Sequence, residues 1–467
     1  MPIDLRLDPH EVSLLNDLYE FTVAAAFFER GMTGVASFEV MVRRFPASRG
    51  YMIAAGLERV LELIEDFHFD TAALEHLESL HLFKPEFLAH LAQLRFSGSV
   101  RAIPDGSIFF AGEPVMEVRG PLIEVQLLEP LILNQLGFAS LTATKAARCF
   151  SVASGRRLVE FGLRRGQGAD ATLIAARSAY MAGFSGTSNV LAGKRYGMPV
   201  FGTMSHSFIM AHESERQAFE DFVRSFPRLN TMLVDTYDTA QGVRNVAELA
   251  KRLAADDIKI QAVRLDSGDL YHLSRQARAI LDQQGLNEIA IFASGNLDEY
   301  RIAELLRAGA PIDAFGVGTS LTVSDDAPSA DYTYKLTDFA GRPRLKTSAG
   351  KATMPGRKQV FRGIDAGGHF AQDLIGLMDE SSAGVTREFK PAIAKITPIL
   401  QTVFDNGRRA EVSVTLDRSR DRFMSEFAML GAKQRSLTNP AAYPVRVTAA
   451  LNAMTISERL RAERLQD

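Results

Sequence analysis

Cysteine is almost missing from this chain: Cys149 stands alone among 467 residues. An intramolecular disulfide is therefore impossible, and a zinc site built on several cysteines of one chain is excluded. An excess of one charge sign is missing too. Lys and Arg total 53 against 56 Asp and Glu, a net charge of -3, and the two signs are well mixed. Nucleic-acid binders carry strongly basic faces, so nucleic acid is not the expected partner. No apolar run reaches the roughly 18 residues that a membrane span needs. The opening MPIDLRLDPHEV carries acids and no apolar core, unlike a signal peptide. These absences together predict a cytoplasmic protein with no membrane partner. Solenoid-type repeats and low-complexity tracts are missing as well. What is present is material for a large core: apolar residues make up 46% of a chain long enough for two or three domains.

The apolar pattern changes character twice. Residues 13–30 read as an amphipathic helix, 37–43 as a strand, 52–67 and 85–94 as helices, and 98–103 and 114–120 as strands. Arg43-Arg44-Phe45-Pro46 opens a basic loop, and Pro104-Asp105-Gly106 reads as a turn. This mixture predicts an α+β domain over residues 1–125. From Gln126 a long helix, about 129–151, leads into strand-then-helix units. Candidate strands are 157–161, 199–202, 231–235, 258–265, 288–293 and 312–317; candidate helices are 169–181, 211–225, 240–254, 271–284 and 298–308. About six β/α repeats predict an α/β domain over 126–325 with a parallel sheet, either a barrel or a doubly wound sheet. After Val323 the repeats stop. Residues 326–467 read as a C-terminal extension. It carries a strand-like 332–336, a basic glycine-bearing segment 346–362 (KTSAGKATMPGRKQVFR), and helices near 417–430 and 457–465.

The chemistry gathers where strands end, which is where α/β proteins bind ligands. The densest stretch is 157–212. One apolar strand runs into Gly162-Leu163-Arg164-Arg165-Gly166. A small-residue loop follows at Phe184-Ser185-Gly186-Thr187-Ser188-Asn189. Another strand-like run ends at Thr203 and reaches His206. Paired arginines beside glycines suit an anionic, phosphorylated ligand. Later strand ends carry Asp235-Thr236-Tyr237-Asp238-Thr239, Arg264-Leu265-Asp266-Ser267-Gly268-Asp269, Ser294-Gly295-Asn296-Leu297-Asp298 and Gly316-Val317-Gly318-Thr319-Ser320. Carboxylates beside phosphates are the usual way to hold Mg²⁺, and glycine turns let N–H groups approach phosphate oxygens. Each element also has a plainer explanation. Aspartates after strands cap helices, paired arginines form structural salt bridges, and a single histidine can be a structural one.

As a set these motifs resemble nicotinate phosphoribosyltransferases, over nearly the whole chain. The resemblance is carried by Asn16-Asp17-Leu18-Tyr19, Glu160-Phe161-Gly162 with Arg164-Arg165, and Gly186-Thr187-Ser188-Asn189. It continues in Gly202-Thr203-Met204-Ser205-His206-Ser207 and the aspartate motifs at 235–239 and 264–269. Phe315-Gly316-Val317-Gly318-Thr319 and Pro355-Gly356-Arg357-Lys358-Gln359-Val360 complete it. It implies a type II phosphoribosyltransferase: an irregular α/β barrel, an N-terminal α+β domain and a C-terminal extension packed on the barrel. It implies a ligase-class reaction in which nicotinate, phosphoribosyl pyrophosphate, ATP and water give nicotinate mononucleotide, pyrophosphate, ADP and phosphate.

The resemblance also implies roles. His206, Arg264 and Asp266 are the expected catalytic groups, with His206 transiently phosphorylated by ATP. Arg164 and Arg165 face the pyrophosphate. Asp238 and Asp266 hold Mg²⁺ or the ribose hydroxyls. Gly295, Asn296, Gly318 and Thr319 cradle the 5′-phosphate and ribose. Phe161 stacks on the pyridine ring, with Thr187 and Ser188 beside it. Tyr19 stacks from a partner subunit, so a homodimer with shared sites is expected. Asp238 or a neighbouring acid is expected to orient His206, and His212 is its competitor. In nicotinamide-using relatives an aspartate matches Ser188; serine here, with Arg264 to meet a carboxylate, favours the acid over the amide. The rival readings are a nicotinamide phosphoribosyltransferase and a nucleotide-binding regulator without catalysis. Some relatives bind zinc through extra C-terminal cysteines, and a single cysteine rules that out here.

Overall fold

The computed structural model describes residues 9–348, 352–390, 392–410 and 415–464. Parts of the predicted basic segment (349–351) and the end of the predicted last helix (465) lie outside these. By contacts the chain forms two units, residues 142–328 and residues 1–141 with 329–467, so the first and last stretches of the sequence share one unit.

Residues 142–328 hold a six-stranded sheet. Its strand order is Gly186–Thr187, Arg157–Glu160, Ala314–Val317, Ala290–Ala293, Ala262–Leu265, Thr231–Leu233. Every neighbouring pair is parallel. All the strands therefore end on one side, and helices follow them: Ala169–Met181, Val190–Tyr196, Thr239–Leu253, Leu270–Gln283 and Glu299–Arg307. The strands are short, apolar and mostly buried, as parallel strands covered by helices must be. Caps fix where the helices begin: Asn189, Asp238, Asp269 and Asp298 each accept a backbone N–H of the first turn.

Two elements here differ from the sequence reading. The run 199–202 is not a strand; only Val200 makes a parallel bridge, to Thr187. Pro199 has no N–H to extend a ladder and so sits at the sheet edge. The strand at that edge is Gly186–Thr187, read from the sequence as loop. The helix expected over 211–225 is two helices, His206–Met210 and Glu215–Ser225, because Ser205 and Ser214 each cap a new start.

The other unit is built on a seven-stranded sheet. The strand Tyr332–Phe339 pairs antiparallel with Val35–Val42, and Gln401–Asp405 with Ser99–Ala102. Phe38 stacks on Tyr334 with ring centroids 4.7 Å apart, tying the early and late strands across their register. A four-stranded sheet, Lys395–Pro398, Lys358–Ile364, Phe370–Leu377 and Val445–Val447, completes it. The helix predicted over 13–30 is broken. A 3₁₀ turn, Pro9–Leu14, precedes the helix Leu18–Glu29, and Asn16 between them donates to Leu127 O at 2.8 Å. The helix predicted over 52–67 starts late, at Leu57, after the strand Met52–Ile53, and Gly56 turns the chain with φ +99°. The late basic motif is structural within this unit: Lys358 is buried against Glu39 at 2.9 Å, and Arg357 grips Glu117 at 2.6 Å.

Candidate active site

The strand ends of the parallel sheet assemble most of the expected residues. At the centre is Arg264, the third residue of its strand. Its Nε donates to Ser294 Oγ at 2.8 Å, one terminal nitrogen to Thr203 Oγ1 at 2.8 Å, and the other to Asp266 Oδ1 at 2.7 Å. A guanidinium carries more N–H groups than these three bonds use. Its carbon lies 5.5 Å from the centroid of the Phe161 ring, a cation–π contact that orients both groups. Phe161 also leans on Phe292 at 5.6 Å. Glycine at 316 is required beneath it, since a Cβ there would come within 2.6 Å of the Phe161 ring.

Asp266 is held as an anion. Burial opposes its ionisation, but the Ser294 hydroxyl and the Arg264 guanidinium outweigh that and hold its carboxyl below the usual carboxylate range. Its backbone N–H donates to Asp235 Oδ2 at 3.0 Å, and Ser267 Oγ donates to the same oxygen at 2.6 Å. Gly295 crosses here in the left-handed region, φ +87°; a Cβ would collide with Asp266 O. Asn296, next to it, also has positive φ, 49°. The turn after the Ala290–Ala293 strand is thereby pressed onto the Asp266 backbone.

His206 stands at the start of its short helix, 41% exposed, with Nδ1 3.0 Å from Thr236 Oγ1 and Nε2 3.8 Å from Asp266 Oδ2. The groups at the ring are thus Thr236 and Asp266. Asp238 instead caps the helix Thr239–Leu253, accepting from Gln241 N at 2.7 Å. His212 is engaged elsewhere: Nδ1 lies 2.7 Å from Phe208 O and Nε2 3.5 Å from Asp221.

The paired arginines sit on a 3₁₀ turn, Leu163–Arg165, both exposed. No ion pair to either is present among the described residues, so the salt-bridge explanation does not account for them. Ser188 is half-buried and its backbone N–H donates to Glu160 O at 2.9 Å. The helix cap beside it is Asn189, whose side chain accepts from Ala192 N at 3.1 Å, so Ser188 is not occupied as a cap. Thr187 is fully buried; its hydroxyl donates to Glu160 Oε2 at 2.5 Å and accepts from Asn189 N at 2.9 Å. Gly318 and Thr319 follow the Ala314–Val317 strand and open the short helix Thr319–Thr322. A Cβ at Gly318 would meet Phe161 O at 3.2 Å, so that turn lies close along Phe161. Tyr19 belongs to the other unit, on the helix Leu18–Glu29, 51% exposed.

Sequence reasoning gives no role to Glu160, Thr203, Asp235, Thr236, Ser294 or Thr322. The first five stand within the motifs quoted above, beside residues that the sequence does single out. Glu160, Asp235, Thr236 and Ser294 stand at or just after a strand's end, while Thr203 lies in the loop before His206 and Thr322 ends a short helix; the sequence alone does not tell such groups from caps.

Comparison with known proteins meets this geometry from outside. The N-terminal domain model of nicotinate phosphoribosyltransferase matches residues 14–136, the family model residues 156–365, and the C-terminal domain model residues 357–455. A nicotinate phosphoribosyltransferase of Mycobacterium tuberculosis is 46% identical over 446 residues, covering 95% of this chain and 93% of the relative. One from Bacillus subtilis is 35% identical over 454 residues, covering 93% and 92%. The crystal structure of human nicotinic acid phosphoribosyltransferase superposes with a TM-score of 0.83 at 30% identity, covering 94% of this chain and 99% of that one. The strand-end motifs, the parallel sheet that aligns them and these whole-length matches agree: the chain belongs to the nicotinate phosphoribosyltransferase family.

Proposed function

We propose that this protein is an ATP-dependent nicotinate phosphoribosyltransferase of the ligase class, acting in NAD salvage, and that it works as a homodimer. The observation that carries this reading is the Phe161–Arg264–Asp266–His206 constellation, in which one cation, one aromatic face, one anion and one imidazole converge at the strand ends. The pyridine nitrogen of nicotinate attacks C1′ of the ribose, and the bond from C1′ to the pyrophosphate oxygen breaks. Positive charge builds on the sugar and negative charge on the leaving group. Phe161 offers its face to the pyridine ring. Arg264 and the Ser188 hydroxyl meet the nicotinate carboxylate; a serine there is a neutral donor and an aspartate would repel it. Arg164 and Arg165, exposed and without an ion pair among the described residues, receive the pyrophosphate. The turns at Gly295-Asn296 and Gly318-Thr319 present backbone N–H groups to the 5′-phosphate. This arrangement fits an irregular α/β barrel, of which the six parallel strands are the inner layer.

Mg²⁺ fits this set as a substrate-borne ion. No cluster of three or more His, Cys, Asp or Glu suited to a metal exists among the described residues. Asp238 nonetheless keeps one carboxylate oxygen beyond its helix cap, and Asp266 Oδ2, 3.8 Å from His206, makes no hydrogen bond among the described residues; Mg²⁺ is commonly held by one or two carboxylates plus phosphates. When bound it would neutralise charge at the pyrophosphate. The imidazole of His206 takes the γ-phosphoryl group of ATP, forming an N–P bond as the bond to ADP breaks; water later hydrolyses the phosphohistidine. Thr236 and Asp266, at its two nitrogens, orient the ring for this. Tyr19 reaches the site of a partner subunit. An apolar face on its own segment supports that placing: Leu15, Leu18 and Tyr19 are 48%, 51% and 51% exposed.

The choice of acid over amide tests this reading. Ser188→Asp should lower kcat/KM for nicotinate by about a hundredfold, the order expected when a half-buried like charge faces a carboxylate and a donor is lost. Nicotinate turnover unchanged in that variant would remove Ser188 and the carboxylate pocket from the account.

A further inference from the structure

Glu160 is a carboxylate that the proposed reaction does not use. It is 1% exposed, and no ion pair to it is present among the described residues. Burying an unpaired charge is costly unless hydrogen bonds satisfy it. Here each donor comes from a different loop. Gly162 N–H, at the head of the arginine turn, donates to Oε1. The Thr187 hydroxyl, in the loop that carries Ser188, donates to Oε2 at 2.5 Å. The Thr322 hydroxyl, at the end of the short helix opened by Gly318-Thr319, lies 3.4 Å from Oε1. The backbone is shaped to the same purpose. A Cβ at position 162 would collide with Thr322 Oγ1 and crowd Glu160 Oε1 at 2.8 Å, so only glycine allows the three loops to close on this carboxylate.

We infer that Glu160 is a positioning residue that locks the loop reading the pyridine acid to the loops receiving the phosphoribosyl group. The inference rests on the proposed transferase reading. It acts through Thr187, not by touching substrate. Thr187 is fully buried and its hydroxyl makes one bond out and one bond in: it passes the constraint of Glu160 to Asn189 N–H, and so to Ser188 between them. Burial raises the Glu160 carboxyl above its usual range, and the three hydrogen bonds pull it back only in part.

Glutamine separates the bonds. Gly162 N–H is a fixed donor, so in Glu160→Gln the new amide oxygen must face it, and the amide NH₂ must face Thr187. That hydroxyl can accept from the amide beside its bond from Asn189, but it loses the charged acceptor for its own proton. Glu160→Gln should therefore raise KM for nicotinate about tenfold, the order expected for a lost bond to a charged group. KM for phosphoribosyl pyrophosphate and kcat should stay within about threefold of wild type, since the bond to Gly162 N–H survives. Thr322→Val should reverse the pattern, raising KM for phosphoribosyl pyrophosphate and sparing nicotinate. The pH profile gives a second readout. As pH falls through the raised value, Glu160 takes up a proton and loses acceptor capacity, so nicotinate KM should rise more steeply in acid in wild type than in the glutamine variant, where only the pyridine nitrogen and the other site groups still titrate. Sign also matters for stability: a carboxyl raised in the fold favours the protonated folded state, so this acid effect is on binding and not on unfolding. If Glu160→Gln does not fold, Thr187→Val, which removes the same bond at the other end, should show the same nicotinate-selective rise. Nicotinate KM at the wild-type value in a folded variant, or equal loss in both substrates for every variant, would overturn the positioning role. An inactive wild-type protein would instead overturn the transferase reading beneath it.

Discussion

His206 makes the sharpest residue-scale case. Its two nitrogens are answered by different chemistry, a hydroxyl at 3.0 Å from Thr236 and a carboxylate at 3.8 Å from Asp266. The ring is also 41% exposed, so a phosphoryl donor can reach it. Asp266 stays ionised because Ser294 and Arg264 stabilise its charged form against burial. His206→Ala should abolish ATP hydrolysis and the stimulation of synthesis by ATP, leaving slow ATP-independent formation of the mononucleotide. The check is acid-labile phosphate on the protein after incubation with γ-labelled ATP: present in wild type, absent in the variant. Label retained by the variant would place the phosphorylated residue elsewhere.

At the scale of elements, legibility in the sequence follows the chemistry of local signals. Five of the six parallel strands can be placed to within a few residues, because buried β/α strands read as short apolar runs closed by chemistry-bearing turns. The sixth, Gly186–Thr187, has no apolar run to find. It exists because it lies beside Arg157–Glu160, with Ser185 N bonding Leu158 O and Ser188 N bonding Glu160 O, long-range facts that a two-residue Gly-Thr segment does not announce. The break between the helices 206–210 and 215–225 is hidden for a related reason: Ala211 continues the apolar pattern, and only the caps Ser205 and Ser214 mark the two starts. Late strands such as Lys358–Ile364 are hidden by charge. Lys358 and Arg362 belong to the segment read only as basic, yet both are buried, one against Glu39 and the other donating to Asp373 Oδ2 through Nε at 3.0 Å and a terminal nitrogen at 2.7 Å. Pairing across distant segments decides their burial, and the sequence of one segment does not contain it. The same holds in the site. The motif residues Arg264, Asp266 and His206 are legible as chemistry. Glu160, Thr236 and Ser294, which hold and connect the strand-end loops, gain meaning only from the neighbours that the sheet order supplies.

At the scale of the whole molecule, the strand-end constellation lies within residues 142–328, while Tyr19 and its exposed apolar neighbours belong to the unit made of the chain's two ends. The proposed dimer would bring Tyr19 of one chain to the constellation of the other. Mixing a Tyr19→Ala protein with an Arg264→Ala protein should restore part of the activity, because a hybrid dimer holds one intact site. Restoration absent after subunit exchange has been demonstrated by size or label would mean that each chain completes its own site. The central claim meets its most direct test in one reaction mixture. Purified protein is incubated with nicotinate, phosphoribosyl pyrophosphate, Mg²⁺ and ATP, and mononucleotide and ADP are quantified together by chromatography, with a parallel mixture containing nicotinamide. The account predicts nicotinate mononucleotide accumulating with ADP, and at least about a hundredfold less product from nicotinamide, the discrimination expected of a site built to pair a carboxylate. No mononucleotide from nicotinate, or faster turnover of nicotinamide, would contradict it.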